Sequence, residues 1–166
     1  NEWDMRIFSL LVGVRMDKHN LIKNPIFSPR VNLLFKPNKQ FQARLTYSTG
    51  FRAPQAYDED LHLTAVGGEN VQTILADGLK EERSNSFSGS IDWTTNFGHW
   101  QANLLAEAFY TDLSNVFVIE SITPAIQERR NGDGARVYGV NLDAKIAHGK
   151  EASFQLGFTA QRSRYK

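Results

Sequence analysis

Imidazole is the commonest metal ligand and titrates near neutrality, so His19, His62, His99 and His148 are the first residues to weigh for metal or acid–base chemistry. They stand on separate turns and connections without a ligand spacing such as H-E-x-x-H, and they read as ordinary solvated side chains. The carboxylates Asp58, Glu59 and Asp60 are adjacent, and such oxygens attract hard cations. Consecutive side chains rarely converge on one ion, however, and the spacing is not that of a calcium-binding loop, so solvated loop charge is the favoured reading. Gly67-Gly68 reads as a turn and Asn131-Gly132-Asp133-Gly134 as the descent into a strand. Nucleophile elbows and phosphate-cradling glycine loops are missing, and the absence of cysteine removes thiolate metal sites and thiol nucleophiles. No catalytic residue, metal or cofactor is therefore expected. Arg52 differs, because its guanidinium stands where an alternating run gives way to the longest connection. There it can pair either with carboxylates of the fold or with an anionic ligand.

The elements that must carry these side chains come from a chain of 166 residues, the length of one ordinary domain. Lys+Arg number 19 against 18 Asp+Glu, a net charge of +1 with no basic stripe, so nucleic acid is not an expected partner. A mean hydropathy of −0.41 accompanies the absence of any apolar run near the roughly 20 residues of a spanning helix. A β-barrel stays open, because its apolar and polar residues alternate and average out. The chain starts at Asn1-Glu2-Trp3 without Met or targeting motif and stops in what reads as mid-strand, so a piece of a longer protein is expected.

Period-2 alternation dominates, and it predicts an all-β fold. Phe8, Leu10, Val12, Val14 and Met16 share one face, with Ser9, Gly13, Arg15 and Asp17 on the other. The pattern recurs in hairpin pairs that turn near Pro37-Asn38, near Gly98 and near Gly149, giving an antiparallel up-and-down meander of about seven strands. Tight turns at one end alternate with long connections at the other, over 18–27, 52–79 and 112–135, as in outer-membrane barrels with short periplasmic turns and long extracellular loops.

Aromatic side chains support that reading. Phe35 and Phe41 flank the first tight turn and Trp93 and Trp100 the second, while Tyr47, Tyr110 and Tyr138 lie toward the opposite strand ends. Two such rows read as membrane-interface girdles. On the polar face, Arg44, Asp92, Glu107, Asp143 and Lys145 form a mixed-sign lattice suited to a wet lumen and to pairing across strands. A secreted or periplasmic β-sandwich acting as a binding module is the alternative, with the same aromatics filling its core. A small closed barrel is a third reading. Packing of two sheets through Val12, Leu45, Leu104 and Phe158 would establish the sandwich.

Specific peptides then carry a resemblance. Ser28-Pro29-Arg30-Val31-Asn32-Leu33, Tyr47-Ser48-Thr49-Gly50-Phe51-Arg52-Ala53-Pro54, Leu79-Lys80-Glu81-Glu82-Arg83-Ser84, Ala108-Phe109-Tyr110-Thr111-Asp112-Leu113 and Val137-Tyr138-Gly139-Val140 together resemble the barrel of TonB-dependent outer-membrane receptors. Glu81 stands where that family usually has Pro. Asp58-Glu59-Asp60-Leu61-His62 is similar to the version found in Bacteroidetes-type receptors.

The resemblance implies residence in the outer membrane of a Gram-negative bacterium and contact with its lipid. It implies a barrel of roughly 22 strands around a plug, of which residues 1–166 would supply about a third of the wall. It further implies import of a scarce nutrient (ferric siderophore, haem, cobalamin or glycan) with energy delivered by TonB. The plug, the TonB-contacting segment and the remaining strands are not in this stretch. Ligand contacts would come from the long loops, with Arg52, Asp58, Glu59, Asp60 and His62 as candidates. Cut from its barrel, such a sheet has two unpaired edges and an apolar face, and it is expected to self-associate.

Overall fold

The structure, a computed structural model, describes residues 2–20, 22, 24–54, 72–124 and 126–166. Eight strands form one antiparallel sheet: β1 (Glu2–Met5), β2 (Phe8–Asp17), β3 (Ile26–Phe35), β4 (Phe41–Arg52), β6 (Glu82–Phe97), β7 (Trp100–Ser114), β10 (Gly134–His148) and β11 (Ala152–Tyr165), in that spatial order. The seven long strands are those predicted from alternation. β1 adds an eighth that four residues were too few to announce.

Register explains why the faces separate so cleanly. Leu10 is opposite Leu33, which is opposite Leu45; Ala106 lies between Ile91 and Leu142, and Leu142 is opposite Phe158. Since a slip of one residue would turn every apolar side chain to the other face, this register is set by the hydrophobic pattern itself. Turn chemistry fixes it locally as well. Between β3 and β4 the Asn38 side-chain oxygen accepts hydrogen bonds from the backbone N–H of Gln40 at 2.9 Å and of Phe41 at 2.8 Å, the Asx arrangement that closes a tight turn.

The four residues that would have joined two sheets are open instead: Val12 is 39% exposed, Leu45 62%, Leu104 44% and Phe158 56%. Among the described residues no second layer covers the apolar face, so the sandwich reading is not borne out. The small closed barrel is not borne out either, because β1 and β11 are the two ends of the sheet order and do not pair.

The predicted long connections hold unpredicted structure. β5 (Gln72–Leu75), β8 (Phe117–Thr123) and β9 (Ile126–Asn131) form a second sheet in the order β5-β9-β8, with β5 parallel to β9. Buried side chains cluster at this end: Ile22, Ile26, Pro54, Arg129 and Ala135 all lie at strand roots or in the connections. What enclosed packing the described residues have thus sits at the rim rather than in the wall.

Candidate functional site

The wall presents two chemically distinct surfaces. Outward from the sheet run Leu, Val, Ile, Ala and aromatic side chains, many of them exposed. Phe8 and Phe35 rings meet at 4.8 Å between centroids and Phe35 and Phe41 at 6.3 Å, edge-on, near the tight turns; Trp93 is opposite Phe41, and Trp100 is opposite Phe97. Toward the long connections, Tyr47 packs on Phe87 at 4.7 Å and Tyr110 stacks on Tyr138 at 6.4 Å. Trp100 and Tyr110 are on the same face of β7. Ten residues at about 3.3 Å each, tilted by about 40°, span roughly 25 Å, the height of the apolar band of an outer-membrane barrel.

The inner surface is polar and hydrogen-bonded across strands. Asn32 donates to the Thr46 hydroxyl at 2.8 Å, Asn103 to Asp92 at 2.7 Å and to Thr94 at 2.9 Å, Asn141 to Glu107 at 3.0 Å, and Gln155 to Asp143 at 2.9 Å. The mixed-sign lattice expected from sequence therefore pairs through amides. Arg44 is opposite Leu34 and Ser90, and Lys145 is opposite Asn103 and Gln155, so the register puts no acid across from either cation.

One glycine on this surface has a packing reason. A Cβ on Gly139 would meet the Ala160 carbonyl oxygen at 2.5 Å and the Phe109 ring at 2.9 Å, and Phe109 is directly opposite in register. The ring lies over the bare backbone of its cross-strand neighbour, which leaves no room there for a side chain.

At the rim the two long connections are clasped by side chains. Asn131 donates to the carbonyls of Lys80 at 3.0 Å and Asn115 at 2.8 Å, and its own oxygen accepts from the Lys80 N–H at 2.8 Å. Asn115, with φ of 55°, donates to the Glu81 carbonyl at 3.3 Å, and Glu82 accepts from the Phe117 N–H at 3.2 Å. Asn131 thus does more than lead into a strand, and only its type, not its reach of 51 residues back along the chain, was visible in sequence. Glu81, in the same clasp, is held below the ordinary carboxylate range. Burial alone would raise it, but the hydrogen bond from Arg83, a backbone hydrogen bond and the charges of Arg83 and Lys80 together outweigh burial.

Of the predicted ligand contacts, Arg52 is exposed at the end of β4, opposite Glu82 in register, with its guanidinium carbon 6.0 Å from the centre of the Phe117 ring. Asp58, Glu59, Asp60 and His62 lie outside the described residues, as does the segment resembling Bacteroidetes-type receptors. His99 and His148 are not as separate as their sequence positions implied: neighbouring tight turns bring their rings to 6.1 Å, with Trp100 at 4.7 Å from His148. Among the described residues no cluster of three metal-ligating side chains forms.

A family model described as TonB dependent receptor-like, beta-barrel, matches residues 1–166, the whole chain. The chain belongs to the TonB-dependent receptor β-barrel family. Solved structures agree in fold: the FrpB iron transporter of Neisseria meningitidis in its apoprotein form superposes with a TM-score of 0.76 at 20% identity, over 98% of this chain and 24% of that one. The siderophore receptor PirA of Pseudomonas aeruginosa gives 0.73 at 20% identity, over 96% and 29%. The alcaligin receptor FauA of Bordetella pertussis gives 0.62 at 20% identity, over 98% and 28%. A search of curated protein sequences finds no match. The chain spans less than a third of these receptors. TonB-dependent receptors are proteins of the Gram-negative outer membrane and are not enzymes.

Proposed function

We propose that the chain is part of the wall of an outer-membrane active transporter that imports a scarce nutrient with energy delivered through TonB. The plug and the remaining strands would come from the rest of a longer polypeptide. The observation that carries this reading is an eight-stranded sheet with an apolar outer face, a hydrogen-bonded polar inner face and two open edges. Such a sheet supports itself only as a section of a larger closed wall in lipid. The Phe35, Phe41, Trp93 and Trp100 row and the Tyr47 and Tyr110 row then mark the two headgroup boundaries. Cargo is met at the rim, where Arg52 and the connection carrying Asp58, Glu59, Asp60 and His62 are the candidate contacts.

Among ferric siderophores, haem, cobalamin and glycans, ferric siderophores are the first class to test, because solved relatives are described as siderophore receptors or iron transporters. Uptake of a radiolabelled ferric siderophore should need both the full-length gene and TonB. Unchanged iron uptake in the deletion strain, with a deficit on haem, cobalamin or a glycan instead, would reassign the cargo. No deficit on any of them would overturn the transport reading. The isolated segment, with both edges and the apolar face in water, should self-associate or require detergent; a monodisperse monomer by light scattering in plain buffer would contradict the assignment of that face to lipid.

A further inference from the structure

Two neighbouring tight turns each set a histidine beside a left-handed glycine. The β6–β7 turn runs Phe97-Gly98-His99-Trp100 and the β10–β11 turn runs His148-Gly149-Lys150-Glu151, with φ of 63° at Gly98 and 51° at Gly149. Glycine adopts such a conformation without steric cost, so the turn type fixes where the adjacent histidine stands. A backbone hydrogen bond then ties one turn to the other, the Gly149 N–H donating to the His99 carbonyl at 3.0 Å. The strands that bring the two turns together, β7 and β10, pair directly with each other inside the sheet, so no strand from outside this chain is needed to form the juxtaposition.

The two imidazoles stand 6.1 Å apart between ring centres, at 71°. His148 is held by two further groups: the Trp100 ring packs against it at 4.7 Å, and Glu151 brings Oε2 to 3.4 Å from Nδ1. A carboxylate beside Nδ1 favours the tautomer that carries its proton there, which leaves the Nε2 lone pair for a metal. With metal–nitrogen bonds of about 2.0–2.1 Å, two imidazoles on one tetrahedral ion have ring centres roughly 5–5.5 Å apart. A closure of about 1 Å is therefore enough to bring this pair onto a shared ion, and His99 is exposed and able to make it.

We propose that His99 and His148 share one divalent ion of the class that prefers imidazole (zinc, nickel or copper), with Glu151 positioning His148 and water filling the other positions. Calcium and magnesium do not suit the pair, because they take oxygen ligands. The ion cross-links two neighbouring hairpins at the tight-turn end of the wall. That end is opposite the rim, where the candidate cargo contacts lie, so the inference goes beyond the transport reading and depends on neither a cargo nor TonB.

The test uses the full-length receptor, without an affinity tag, in neutral detergent and a buffer that does not bind metal. In equilibrium dialysis against zinc chloride the wild type should bind one more equivalent than His99→Gln, His148→Gln or the double variant. All three variants should lose that same equivalent, because neither imidazole holds the ion alone. Glu151→Gln should keep the equivalent but bind it about tenfold more weakly, while hydrogen exchange of its zinc-free turns stays that of the wild type. In the wild type, zinc and not calcium should slow hydrogen exchange over residues 96–101 and 147–152, a readout that requires no variant to fold. Equal zinc binding by the wild type and the double variant, or unaltered exchange at both turns, would overturn the proposal. So would a loss confined to one of the single variants, since that describes a lone surface imidazole. Unchanged affinity in Glu151→Gln would overturn its positioning role.

Discussion

The wall and the rim solve opposite problems with the same chain. In the wall, eight strands are joined by register and cross-strand pairs, and almost no side chain is buried by the chain itself. At the rim lie three short strands and a set of side-chain clasps, and Ile26, Pro54, Arg129 and Ala135 are buried at this end. On the proposed placement a wall solvated by lipid can leave its apolar face uncovered, whereas a rim in water must make its own core. The same substitution should therefore have different effects in the two regions.

The largest contrast is expected on the wall itself. A charge placed at mid-strand on the outer face, Leu104→Arg, should cost about 2–4 kcal/mol, the penalty near a bilayer midplane. The inner-face Ser88→Arg should stay within roughly 0.5 kcal/mol, as for a wetted surface. Denaturant unfolding of the full barrel in vesicles measures both, and equal costs would break the assignment of faces. Next comes Gly139→Ala, where the added methyl collides with the Ala160 carbonyl and the Phe109 ring; a loss of about 1–3 kcal/mol is expected, with Phe109→Ala only partly relieving it because the carbonyl remains.

Asn131→Ala sharpens the comparison from the rim side. It removes three hydrogen bonds that join the two connections, and should cost about 1–2 kcal/mol locally. Amide exchange should quicken in β5, β8 and β9 and stay slow in the long wall strands; uniform acceleration would mean that wall and rim unfold together. The smallest effect is that of pH on Glu81. Its folded pKa lies below the unfolded one, so its stabilisation is present above the ordinary glutamate range, about 4.3, and fades as pH falls through the folded value. Glu81→Gln should flatten that acid-side loss of stability, and an unchanged acid profile would mean that the Glu81–Arg83 pair does not stabilise the rim.

The same division explains what could be read from sequence. The seven long strands, their hairpin partners and the inner and outer faces were legible because Val12, Leu45, Leu104 and Phe158 obey a period of two over long runs. The rim was not. β5 and β1 are four residues each, too short for periodicity, and β5 pairs in parallel with a strand far away in the chain. Asn131 looks like any turn residue until its side chain is seen to reach Lys80 and Asn115. The lattice of charges was found by alternation, but its amide partners depend on register, which places Asn103 and Asn141 and not Arg44 or Lys145 beside the acids. His99 and His148 likewise meet only because two hairpins lie side by side.

The sheet order carries a last consequence. Every long strand pairs with the next long strand along the chain, even where β5 intervenes between β4 and β6 or where β8 and β9 intervene between β7 and β10. Closing a connection costs conformational entropy that grows only logarithmically, about 0.6 kcal/mol for each doubling in length. Insertions at the rim are thus nearly neutral for the pairing beneath them, and this architecture can exchange one recognition surface for another while the scaffold keeps its own folding instructions.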